Sequence, residues 1–84
     1  MTEGHIPVVS NRQLLRWLGS LGYHAVRQKG SHIRLERHSD KQTHAITVPN
    51  HHEIAKGTLH DIVGAVARAV GRDKSDLFKD LSNF

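Results

Sequence analysis

The chain of 84 residues contains no cysteine. Disulfides, a thiolate zinc site and thiol chemistry are therefore excluded. No apolar run approaches the ~20 residues needed to span a bilayer. Met1 to Ser10 lack a basic head followed by an apolar stretch, so no signal peptide is evident and a cytoplasmic protein is expected. There is no Walker loop, no G-x-G-x-x-G and no Ser-His-Asp order, so no nucleotide cofactor is expected. Repeats, low-complexity tracts and linkers are also missing. With 37% hydrophobic and 24% charged residues, the composition is that of one small globular domain with a thin core.

What is present is basic charge. Twelve Lys and Arg against eight Asp and Glu give a net charge of +4 with His neutral. The excess is uneven. Arg12, Arg16, Arg27, Lys29, Arg34, Arg37 and Lys41 share their stretch with only Glu36 and Asp40. From Asp61 onward acids and bases balance. A basic front half suits a polyanion, most simply nucleic acid; it also suits a solvated face kept for solubility.

Local pattern predicts the order α-β-β-β-α. Ser10 and Gln13 form a capping box ahead of an apolar stripe at Leu14, Trp17, Leu18 and Leu21, and Gly22 is placed to end that helix. Tyr23 to Lys29 and His32 to His38 read as strands joined by Gly30-Ser31, a two-residue turn of type II′. His44 to Val48 is the third strand, with Pro49 ending it. After a loop over Asn50 to Gly57, Thr58 and Asp61 suggest a second capping box. Leu59, Ile62, Val63, Val66 and Val70 then make a stripe that Gly71 stops. A short helix capped by Asp73 is expected over Lys74 to Leu81, burying Leu77, Phe78 and Leu81. Consecutive hairpins imply a three-stranded antiparallel sheet, an α+β fold with both long helices on one face. The other face is left polar and carries Arg27, Lys29, His32, Arg34 and Glu36.

One segment carries chemistry. Gln28-Lys29-Gly30-Ser31-His32 groups a cation, a glycine turn with accessible amides, a hydroxyl and an imidazole. Such amides can receive phosphate oxygens, and an imidazole with a pKa near 6.5 exchanges protons at neutral pH. The set suits phosphodiester cleavage, in which a proton leaves a 2′-hydroxyl and another reaches the leaving oxygen. It equally describes a hairpin with a surface histidine. Lys56-Gly57-Thr58 opens the second helix, where free amides and a lysine can hold a phosphate or simply begin a helix. His52-Glu53-Ile54-Ala55-Lys56 resembles H-E-x-x-H, but Lys56 stands where the second imidazole is needed, so no metal site is expected. Trp17, on a helical stripe, reads as core.

The runs Leu21-Gly22-Tyr23, Val26-Arg27-Gln28-Lys29-Gly30-Ser31-His32, Val48-Pro49-Asn50-His51 and Lys56-Gly57-Thr58-Leu59 resemble the HicA family of toxin–antitoxin mRNA interferases. The resemblance covers Ser10 to Leu81. It implies a double-stranded-RNA-binding-domain-like fold over a single domain, 1–84, with 1–9 as an N-terminal extension and 73–84 holding the terminal helix. It also implies cleavage of mRNA without a metal or other cofactor, and a HicB-like antitoxin as partner. The family's catalytic histidine lies in the G-S-H turn and matches His32. The chain departs from many relatives at Ile33, where they carry an aromatic or His, and over Ala67 to Asp73, which is slightly longer. The expected RNA-binding set is Arg27, Lys29, Gly30, Ser31, Arg34 and Lys56. Two other classes use the same face: a non-catalytic RNA-binding module, and a domain that meets an acidic protein partner.

Overall fold

The computed structural model describes residues 8–84. Of the N-terminal extension expected over 1–9, residues 1–7 lie outside the described residues. Val9 is fully buried in the core.

Helix α1 spans Asn11–Ser20. Its N-cap is Ser10, whose Oγ accepts from the Gln13 amide at 3.1 Å, which satisfies one of the free first-turn donors. The reciprocal half of the expected box is not formed. Gln13 Nε2 instead donates to the Leu81 carbonyl at 3.1 Å. Leu14, Trp17 and Leu18 are buried, as their helical spacing predicts, and Leu21 is partly buried. Gly22 follows with φ +97, and the Arg37 side chain passes 3.7 Å from where its Cβ would stand.

The strands are β1 (His24–Lys29), β2 (His32–His38) and β3 (Thr43–Pro49), in the order β1-β2-β3 with both pairings antiparallel. Tyr23, expected to open β1, precedes it and is buried. Pro49 belongs to β3 as its last residue, opposite His32. Proline is tolerated there because β3 is an edge strand. In β2 and β3 the residues Ile33, Leu35, Ile46 and Val48 point inward and are buried.

β1 behaves differently. The register steps from Ala25↔Leu35 to Arg27↔Arg34, leaving Val26 as an extra residue in a β-bulge. Simple alternation from Ala25, which faces the same way as Leu35, would turn Arg27 and Lys29 inward. The bulge resets the phase, so both share the outer face with Arg34 and His32. It also leaves His24, opposite Glu36, on that face. All six residues of β1 are exposed.

Helix α2 spans Lys56–Val70 and α3 spans Lys74–Leu81. The expected Thr58–Asp61 box does not start α2. The helix begins at Lys56 after Ala55, which makes no side-chain cap. The preceding loop is already fixed, by Ile54 N donating to Val9 O and Asn11 N donating to His52 O. Its hold on α1 decides where the chain turns. Asp73 occupies the N-cap of α3 but makes no side-chain capping bond. Gly71 ends α2 in the left-handed region. Leu59, Ile62, Val63, Val66, Leu77 and Leu81 join the α1 stripe and the inner sheet face in one core. Val70 and Phe78, expected on buried stripes, pack at its margin. Among the described residues all three helices thus serve one face of an α+β fold, and nothing packs on the other.

Candidate nucleic-acid interface

The bare face carries an open cleft of about 500 Å³, lined by Arg27, Lys29, Gly30, Ser31, His32, Arg34 and Thr47. Every lining residue is exposed. Three cations and one imidazole therefore border a groove that no acid lines among the described residues.

The hairpin builds this site. Gly30 adopts φ +58, and among the described residues no non-glycine residue has a positive φ. That fits the first central position of a II′ turn, which a side chain would strain. The turn makes Lys29 and His32 direct cross-strand partners, so both project outward together. The Ser31 carbonyl accepts from Asn50 N at 2.7 Å, and His32 pairs with Pro49. The turn is therefore braced against the chain leaving β3. Asn50 is held in turn by Asn11, whose Nδ2 donates to Asn50 Oδ1 at 2.7 Å.

Arg34 sits in mid-strand between Arg27 and Thr47. Its Nε lies 3.3 Å from Glu36 Oε2. Glu36 also places Oε1 3.4 Å from His38 Nε2. It is four residues from His32, ~13 Å by strand rise, and is committed to its neighbours. Thr47 lines the groove without being among the residues expected from sequence. The alternation that turns Ile46 and Val48 inward was the signal for it.

Of the residues singled out from sequence, Arg27, Lys29, Gly30, Ser31, His32 and Arg34 come together. Lys56 is not among the lining residues; it stands exposed at the first turn of α2, which contains no acidic side chain. His51, His52 and Glu53 are exposed on the loop before it. Among the described residues no three His, Cys, Asp or Glu side chains are grouped to hold a metal ion, and no helix is long and apolar enough to cross a membrane.

Tyr23 and Arg37 form a separate group at the other end of the sheet. Tyr23 Oη lies 2.6 Å from His44 Nδ1, and Arg37 Nε donates to the Leu21 carbonyl at 2.9 Å. Burial pushes the Tyr23 phenol above its ordinary pKa, and the nearby Arg37 charge partly opposes this.

One known family matches this sequence, the HicA toxin of bacterial toxin–antitoxin systems, over residues 12–71. That segment is most of the chain and contains the whole groove. No curated protein and no solved structure matches it significantly.

Proposed function

The chain belongs to the HicA toxin family of bacterial toxin–antitoxin systems, and from this premise we propose that it is an endoribonuclease of the mRNA interferase type. The observation that carries this reading is the pairing of Lys29 with His32 at the rim of a groove lined by cations.

In the proposed reaction single-stranded RNA lies along the polar sheet face. Arg27, Lys29 and Arg34 hold phosphates, and the exposed turn at Gly30 and Ser31 offers amide and hydroxyl donors to one of them. Lys56, at the positive end of α2, takes a further phosphate. His32 accepts the proton of a ribose 2′-hydroxyl as its oxygen attacks the adjacent phosphorus and the P–O5′ bond breaks. The proton then returns to the leaving 5′-oxygen from His32 or water. Lys29 stabilises the charge that gathers on the phosphoryl oxygens. Among the described residues no second acid–base group lines the groove, which makes for slow turnover, tolerable in a toxin. Translation stops as mRNA is cut. The same surface is acid-seeking, so we assign it also to a HicB-like antitoxin that would cover His32 in the bacterial cytoplasm.

The test is His32→Ala. The variant should lose RNA cleavage and growth inhibition while keeping its circular dichroism and melting behaviour. Cutting at the parental rate would remove His32 from the reaction. Among the described residues no acid–base side chain partners His32, which favours a second reading, a module that binds RNA without cutting it. Purified parent protein that binds long RNA, weakens in salt and yields no fragments would establish that alternative.

A further inference from the structure

The outer sheet face holds a second cluster beyond the groove. His24 and His38 stack with ring centroids 5.2 Å apart and planes 29° apart. They come from β1 and β2, and His24 is on this face because of the bulge at Val26. His38 is held by both ring nitrogens. Nδ1 lies 2.9 Å from Thr43 Oγ1 of β3, and Nε2 lies 3.4 Å from Glu36 Oε1. With its edges engaged and one face turned to His24, this ring has its other face left for further contact, and its side chain is half-exposed. Glu36 joins the cluster to the groove, because its other oxygen meets Arg34. From His32 to His38 the track runs ~20 Å along β2 by strand rise.

We propose that this cluster is a base-binding subsite for RNA, in which the His24–His38 pair stacks on a nucleobase flanking the cleaved link. The proposal rests on the RNA reading of the neighbouring groove and adds a selectivity to it. Aromatic rings beside a cationic track on an open sheet are stacking platforms for unpaired bases. Glu36 makes a phosphate a poor occupant, since its carboxylate would repel one. A carboxylate does accept from an exocyclic base amine, and each of its oxygens has a second lone pair to offer. The base bound here is therefore one with an amino group, such as cytosine or adenine, and uracil is disfavoured.

Binding in the His32→Ala background tests this without cleavage. The probes are fluorescent RNA oligonucleotides of equal length, one cytidine-rich and one made of uridine alone, read by polarisation. The cytidine-rich RNA should bind more tightly. His24→Ala and His38→Ala should each weaken it by about fivefold or more, the range seen for loss of one stacked base. Glu36→Ala should bring the two affinities together. Unchanged binding in both histidine variants, or equal affinity for the two RNAs before any change at Glu36, overturns the subsite. If the protein with His32 intact binds these RNAs but never cuts them, and the histidine variants still weaken binding, the nuclease reading falls and the subsite stands. If it binds neither RNA, both fall.

Discussion

Lys29 and His32 are adjacent across the β1–β2 ladder, joined by a turn of only Gly30 and Ser31. The cation reaches the imidazole's side of the sheet through two backbone choices, the bulge at Val26 and the positive φ of Gly30. Neither involves the side chains that would do the chemistry.

Gly30→Val tests the second of these choices. Nothing lies within 4 Å of a Cβ built on Gly30, so the cost is conformational and not a clash. A β-branched residue at φ +58 should cost ~1–2 kcal/mol, or move the turn to avoid it. Moving the turn breaks the Lys29–His32 pairing. Expected outcomes are a lower urea midpoint and a loss of RNA cleavage larger than the stability change explains. Gly30→Asn, which tolerates this region better, should fall between Val and the parent. Equal activity in the Val variant would show that the turn does not position His32.

Salt dependence counts the phosphate contacts. For single-stranded nucleic acid the slope of log affinity against log salt is ~0.7 per neutralised phosphate. Arg27, Lys29 and Arg34 alone predict a slope of about −2, and Lys56 as a fourth contact makes it about −3. Arg27→Ala and Lys56→Ala should each reduce the slope by ~0.7, measured by titrating RNA at several salt concentrations. A slope unmoved by Lys56→Ala would remove that residue from the interface and confine the RNA to the sheet.

Much of this arrangement is legible in the sequence because it is set locally. The stripe Leu14, Trp17, Leu18 has only one period it can satisfy, and Gly30-Ser31 between two strand patterns admits few turns. The polar face follows from alternation in β2, where Ile33 and Leu35 leave no doubt which side is buried. What was not legible depends on partners distant in sequence. The bulge at Val26 is a property of how β1 pairs with β2, and no residue type announces it. Thr58 and Asp61 form a good local capping pattern, yet α2 starts at Lys56 because the loop is tied to Val9 and Asn11. Those tertiary bonds fix the turn at Ala55. Likewise the cap at Ser10 was legible, but Gln13 is drawn to Leu81 at the far end of the chain.

Trp17 is fully buried and its Nε1 donates to Asp80 Oδ2 at 3.0 Å. This bond joins α1 to α3 and satisfies the one polar atom of the largest core side chain. Asp80→Ala would leave that N–H without its partner, at a cost of ~1–3 kcal/mol. Trp17→Ala should cost ~3–5 kcal/mol, enough to unfold much of a domain with so thin a core. Trp17→Phe removes the donor and keeps most of the volume, so it should fall near the Asp80 variant. Urea denaturation ranks the three. If Asp80→Ala is as stable as the parent, the bond contributes nothing net and α3 is held by its other contacts, the burial of Leu77 and Leu81 and the Gln13–Leu81 bond among them.

The alkaline limb of stability should report Tyr23, the only tyrosine in the chain. Burial raises its pKa above the ordinary 10.0, with Arg37 acting the other way. Below pH ~10 the phenol is protonated in both folded and unfolded chains and this linkage is silent. Above that, the unfolded chain releases its proton first and binds fewer protons than the folded one, so stability falls as pH rises through the folded value. Tyr23→Phe abolishes the linkage and should flatten the unfolding free energy as pH rises above the ordinary 10.0, while also losing the contact to His44 at all pH values. Removal of the opposing charge by Arg37→Met should raise the phenol's pKa further and shift its ultraviolet ionisation curve to higher pH. Since no other tyrosine contributes, a folded-state phenolate titration centred at or below 10 would contradict the burial argument directly.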